Sequence, residues 1–158
     1  MEIATYFDKP RTRKLSKACV VAMLICLFSP ACGPVKKGPP LTSDEWYPYA
    51  LFTFEYKIAE YYCKTGKWPS TSEALFGPRG FEFYCRNEGR WSHFIIPLKS
   101  LRLEKEGNAD WATYELHLDF DDMKRSLYAG FDRRSARKHV QDLGALVRNS
   151  RTQYLSHK

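Results

Sequence analysis

Between Tyr47 and Phe120 the apolar residues change their period once, and that change constrains the fold more than any other feature of the chain. Leu51, Phe54, Ile58, Tyr61 and Tyr62 recur at helical spacing, with Lys57 and Glu60 on the opposite side. From Phe81 the spacing becomes two: Phe81, Phe83 and Cys85 alternate with Glu82, Tyr84 and Arg86. The pattern predicts an α+β fold, an N-terminal helix packed on a three- or four-stranded antiparallel meander with one face covered.

The punctuation agrees with the periods. The helix is expected to start near Asp44 to Tyr47, with Pro48 in its first turn, where a missing N–H costs nothing. It should run to Lys64, with Gly66 just past its end. Ser70-x-x-Glu73 reads as a capping box for a short helical turn that ends at Gly77. Asn87-Glu88-Gly89 and Gly107-Asn108 read as turns, with apolar runs from His93 to Leu98 and at Leu101 and Leu103 between them. The clearest strand carries Tyr114, Leu116, Leu118 and Phe120 on one face, and Glu115, His117 and Asp119 on the other. Asp121 or Asp122 reads as the cap of a short helix to Ala129, closed by Gly130. Asp132 is expected to cap a last helix reaching about Arg151.

That last helix is basic and amphipathic. Ala136, Val140, Leu143, Leu146 and Val147 share one arc, and Arg133, Arg134, Arg137, Lys138, Arg148 and Arg151 share another. Small aliphatics suit docking on the domain better than membrane insertion, which favours Trp, Phe and Leu. Val140, Leu143 and Val147 are therefore expected against the meander, and Arg133, Arg137 and Arg148 in solvent.

The first 31 residues read as an export signal. Lys9, Arg11, Arg13, Lys14 and Lys17 precede an apolar run from Ala18 to Phe28, and the small residues Ser29 to Ala31 lead to Cys32-Gly33. Eleven apolar residues span only about 16 Å as a helix, well short of about 30 Å of hydrocarbon. Residues 32–43 then form a tether, because the prolines and glycines of Gly-Pro-Val-Lys-Lys-Gly-Pro-Pro exclude a helix or a central strand. Residues 44–158 remain as a single domain.

Ala31-Cys32-Gly33 resembles the lipobox of bacterial lipoproteins, although Ser29 and Pro30 stand where that family usually has Leu and a small residue. The resemblance implies acylation of Cys32, a membrane anchor and an outer-membrane location facing the periplasm; cleavage to a soluble periplasmic or secreted form and an uncleaved signal anchor are the alternatives. Cys-Gly-Pro-Val-Lys-Lys-Gly-Pro-Pro-Leu is also distantly similar to the start of small lipoproteins that assist lipopolysaccharide-transporter maturation. Tyr61 to Leu75, with its Gly66-Lys67-Trp68-Pro69, resembles the helix exit of type IV pilins and pseudopilins. The long N-terminal apolar helix that pilins retain is missing here.

Charge is distributed unevenly. The full chain carries +7, and residues 32–158 carry 20 cations and 16 anions. Residues 124–158 hold nine cations and two anions, whereas residues 33–123 hold eleven and fourteen. A basic C-terminal segment on an acidic body implies an anionic neighbour such as lipid headgroups, a glycan or an acidic protein surface. Nucleic acid fits the charge but not the export address.

Cysteine parity follows the same address. Cys19 and Cys26 leave with the signal and Cys32 takes lipid, so Cys63 and Cys85 remain as an even pair in an oxidising compartment. Cys85 shares the inward phase of Phe81 and Phe83, where Cys63 on the covering helix can meet it. A Cys63–Cys85 disulfide is the expectation, and two unpaired buried thiols the alternative.

No catalytic or cofactor motif is present in the sequence. Gly-x-Ser-x-Gly and His-Glu-x-x-His are absent, and Gly77-Pro78-Arg79-Gly80 has Pro where a phosphate loop needs N–H groups. Glu115, His117 and Asp119 share one strand face, but residues two apart lie about 6.5–7 Å apart, too far to close on one ion. A metal site there would need Glu104 or a loop; no metal or cofactor is expected. Trp46, Trp68, Trp91 and Trp111 fall at element edges or in loops, where aromatic anchors of interfaces and sugar platforms occur. The functional expectation is a non-catalytic envelope binding or assembly module. Its partner would be an envelope or secreted protein, and Arg133, Arg137, Arg148, Trp68 and Trp91 are the candidate binding residues. An enzyme acting on an envelope polymer such as peptidoglycan is the competing class, and a pilin-like assembly component the third.

Overall fold

A computed structural model describes residues 41, 43–120 and 123–158. The export segment, Cys32, the tether up to residue 40, Asp121 and Asp122 lie outside the described residues. The fold is α+β, as the change of period implies. A short 3-10 turn, Asp44–Trp46, leads directly into α1, Tyr47–Thr65, with Pro in the first turn. Gly66 closes α1 in the left-handed conformation, φ 69°, and its N–H bonds the Tyr62 carbonyl. The short α2, Ser72–Phe76, is capped by Thr71, whose hydroxyl accepts from the Ala74 N–H. This corrects the expected Ser70 capping box by one residue, because Thr71 is the last residue with extended backbone.

Five strands follow, in two antiparallel sheets. β1, Phe81–Asn87, and β2, Arg90–Ile96, form a hairpin closed at Glu88 and Gly89. β3, Leu101–Gly107, β4, Trp111–Phe120, and β5, Met123–Asp132, form a three-stranded sheet in sequence order. The expected helix up to Ala129 is a strand instead. Leu127, Ala129 and Phe131 alternate inward against Leu116, Tyr114 and Ala112 of β4, and burial at period two overrides a helix-like beginning.

Strand phases deliver the core. Phe54 and Ile58 of α1 join Phe81, Phe83, Phe94 and Ile96 of the hairpin and Leu116, Leu118 and Leu127 of the larger sheet. Burying each such side chain contributes roughly 1.5–3 kcal/mol. Tyr114 places its hydroxyl on the Pro69 carbonyl at 3.0 Å, so the chain between α1 and α2 is tied to the central strand.

The last helix, α3, is Ser135–Ser156. Asp132 caps it as expected: Oδ1 accepts the N–H groups of Arg134 and Ser135 at 2.7 and 2.8 Å. Its docking differs from expectation. α3 packs mainly on α1, with further contacts to β1, β2 and β5. Ala136, Gly144 and Ser150 are its buried residues, whereas Val140, Leu143 and Val147 are only half-buried and Leu146 is 46% exposed. The physical reason is Gly144. A Cβ there would sit 3.2 Å from the Tyr56 ring, so the missing side chain lets the two helices approach closely along that line.

Candidate functional site

Two surfaces carry the residues capable of recognition or chemistry. The first is the basic face of α3. Arg133, Arg134, Arg137, Lys138, Arg148 and Arg151 are all exposed, as expected. Arg133 is committed to the fold, since Nη1 pairs with Asp110 Oδ1 at 3.1 Å and Nε donates to the Tyr62 hydroxyl at 3.0 Å. Arg134, Arg137, Lys138, Arg148 and Arg151 are exposed and form no ion pair among the described residues, with the Arg148 guanidinium lying back over Gly144 toward Tyr56. Arg133, Arg134 and Arg137 also border a shallow groove of about 430 Å³ against Tyr62, Cys63 and Gly66 at the end of α1.

The second surface is the outward face of the three-stranded sheet. Register stacks Arg102, His117 and Ser126 in one cross-strand row, and Glu104, Glu115 and Tyr128 in the next. His117 Nδ1 lies 3.0 Å from the Ser126 hydroxyl and 3.4 Å from Glu115 Oε1. His117 Nε2 lies 3.3 Å from Glu104 Oε1, is shielded from solvent and makes no hydrogen bond. Arg102 bonds Glu104, and the Tyr128 hydroxyl donates to Glu115 at 2.8 Å. The Tyr128 hydroxyl, and then that of Ser126, hold the Glu115 carboxyl below the usual carboxylate range. Beside this cluster an open cleft of about 810 Å³ is bordered by Tyr47, Arg102, His117, Arg125 and Tyr128.

Ser126, His117 and Glu104 follow the order of a nucleophile, a base and an orienting acid. Such use needs a preorganised donor for a developing oxyanion, and the nearest cation, Arg102, is already held by Glu104. The arrangement is better suited to holding a cation than to acyl transfer.

The structure moves two other expectations. Trp68 is not an exposed anchor: it is 7% exposed, stacked on Tyr62 at 4.0 Å, and its Nε1 donates to the Ala109 carbonyl at 3.1 Å. Trp46 is fully buried against Phe83, and Trp91 is half-buried edge-on to Tyr49 at 5.4 Å. Trp111, at 45%, is the most exposed of the four. The expected Cys63–Cys85 disulfide is not formed. Both are free thiols, Cys63 exposed near the end of α1 and Cys85 buried in β1. Cys85 does point inward, but Cys63 lies on the solvent side of its helix, so the inward phase of one does not bring it to the other. Burial pushes the Cys85 thiol up to about 12, which leaves it protonated at neutral pH.

No known protein family, curated protein or solved structure matches this chain. The functional reading therefore rests on the sequence and on these two surfaces.

Proposed function

We propose that this protein is an exported binding module, tethered to the membrane of the bacterial envelope through an acylated Cys32 and facing the periplasm. On this reading its basic helical face docks an acidic surface of another envelope or secreted protein, in an assembly or inhibitory role rather than a catalytic one. The observation that carries the reading is the set of exposed cations, Arg134, Arg137, Lys138, Arg148 and Arg151, that pair with no described carboxylate. Such a patch steers an acidic partner at long range and discriminates against basic ones. The test is charge reversal, Arg137→Glu with Arg148→Glu. Association with envelope proteins should fall while folding persists, because exposed charges contribute little to stability.

A further inference from the structure

We infer that Glu104, Glu115 and His117 form a binding site for a first-row divalent transition ion of the Zn2+ class, on the outward face of the three-stranded sheet. One potential ligand atom from each lies within 4.8 Å of the other two. The site spans two strands. β4 supplies Glu115 and His117, two residues apart on one face with side chains that converge, and the β3–β4 register adds Glu104 directly opposite Glu115.

Three features of the geometry favour a metal over a plain polar face. Two carboxylates directly opposite on neighbouring strands repel, and a shared cation turns that repulsion into attraction. His117 Nε2 and Glu104 Oε1 are 3.3 Å apart. That is about the 3.3 Å edge of a tetrahedron whose metal–ligand bonds are about 2.0–2.1 Å. The same Nε2 is shielded from water and has no hydrogen-bond partner, while Nδ1 sits 3.0 Å from the Ser126 hydroxyl. In the tautomer whose Nδ1 proton is donated to Ser126, Nε2 presents its lone pair toward Glu104, the orientation a shared metal ion needs.

The surroundings have the form of a supporting shell. Ser126 fixes the imidazole orientation, and the Tyr128 hydroxyl, 2.8 Å from Glu115 Oε1, fixes that carboxylate. Arg102 balances Glu104 in the metal-free protein and must share that carboxylate when an ion arrives. One imidazole and two carboxylates suit Zn2+, Mn2+ or Co2+ better than Ca2+ or Mg2+, which favour oxygen-only shells. Three protein ligands, of which His117 borders the open cleft, leave a fourth position for water or an exogenous anion.

The test is calorimetric titration of ZnCl2 into the full-length chain in detergent, without a polyhistidine tag and after chelator treatment. One ion per chain should bind with a dissociation constant in the micromolar range or tighter. His117→Ala and Glu104→Gln should each weaken binding at least tenfold, Ser126→Ala should weaken it less, and His93→Ala should leave it unchanged. Glu104 is half exposed at a sheet edge, so Glu104→Gln keeps the fold and guards against misreading an unfolded His117 variant. Co2+ should give the intense visible absorption of a tetrahedral site, lost in Glu104→Gln. Absence of Zn2+ binding, binding that survives both Glu104→Gln and His117→Ala, or preference for Ca2+ or Mg2+ would each overturn the assignment.

Discussion

The ring of Tyr62 lies stacked on the indole of Trp68, their centroids 4.0 Å apart, so the chain leaving α1 folds back on the helix it has just completed. Arg133 bonds the Tyr62 hydroxyl from the far side, and Trp68 reaches the Ala109 carbonyl through Nε1. One aromatic pair thus joins the end of α1, the β3–β4 connection and the entry to α3. Trp68→Ala should cost about 3–5 kcal/mol in denaturant unfolding, the usual range for a buried aromatic. Trp111→Ala, at an exposed position, should change stability by no more than about 0.5 kcal/mol.

Close approach of α1 and α3 depends on Gly144, where an added Cβ meets Tyr56 at 3.2 Å. Gly144→Leu should destabilise the domain by about 1–3 kcal/mol, because the larger side chain forces the helices apart. Gly80→Ala acts differently. A Cβ there would meet the Ile96 carbonyl oxygen at 2.1 Å on a backbone held at φ +91°, so this variant should lose more stability than any flexible-neighbour substitution.

The two cysteines are expected to react on different terms. Native protein treated with iodoacetamide near neutral pH should be alkylated at Cys63, while Cys85 is modified only after unfolding, since its thiol is buried and pushed up to about 12. Peptide mapping distinguishes them. A native Cys63–Cys85 bond, seen as a linked peptide without reductant, would contradict the structure.

Asp132 supplies a pH signature. The Ser135 N–H, followed by that of Arg134, holds its carboxyl below the usual aspartate value. A lowered folded value means that the carboxylate stabilises the fold above the unfolded value of about 3.9 and loses that contribution as pH falls through the folded value. Asp132→Asn retains a capping oxygen but does not titrate. Its thermal midpoint should match the wild type near neutrality and fall less steeply below about pH 4.

Some of this architecture is visible in the residues themselves. Pro48 and Gly66 bracket α1, Asp132 marks the entry to α3, and the alternation from Tyr114 to Phe120 gives β4 its two faces. β5 is hidden because Met123-Lys-Arg-Ser precedes its inward residues and Gly130 imitates a helix stop, although in the strand it simply sits opposite Thr113. Glu115 and His117 are recognisable as neighbours on one face, and Glu104 is nameable as the group a site there would need, but its place directly opposite Glu115 comes from the β3–β4 register, which no periodicity encodes. Trp68 gives no local sign of burial, because only Tyr62 is near it in sequence, while Ala109 and Phe131 come from two distant segments. Cysteine parity misleads for a similar reason: it counts thiols without placing them.

The central claim is that the basic face of α3 is the binding surface, and retention of envelope proteins on the immobilised protein tests it most directly. Retention should be compared between the wild type and the Arg137→Glu, Arg148→Glu double variant, first at low salt and then near 1 M, where the Debye length shrinks to about 3 Å. Circular dichroism should show both proteins equally folded. The account predicts that acidic proteins are held by the wild type at low salt, released as salt rises and not held by the double variant. Equal retention by both proteins at every salt concentration would contradict it.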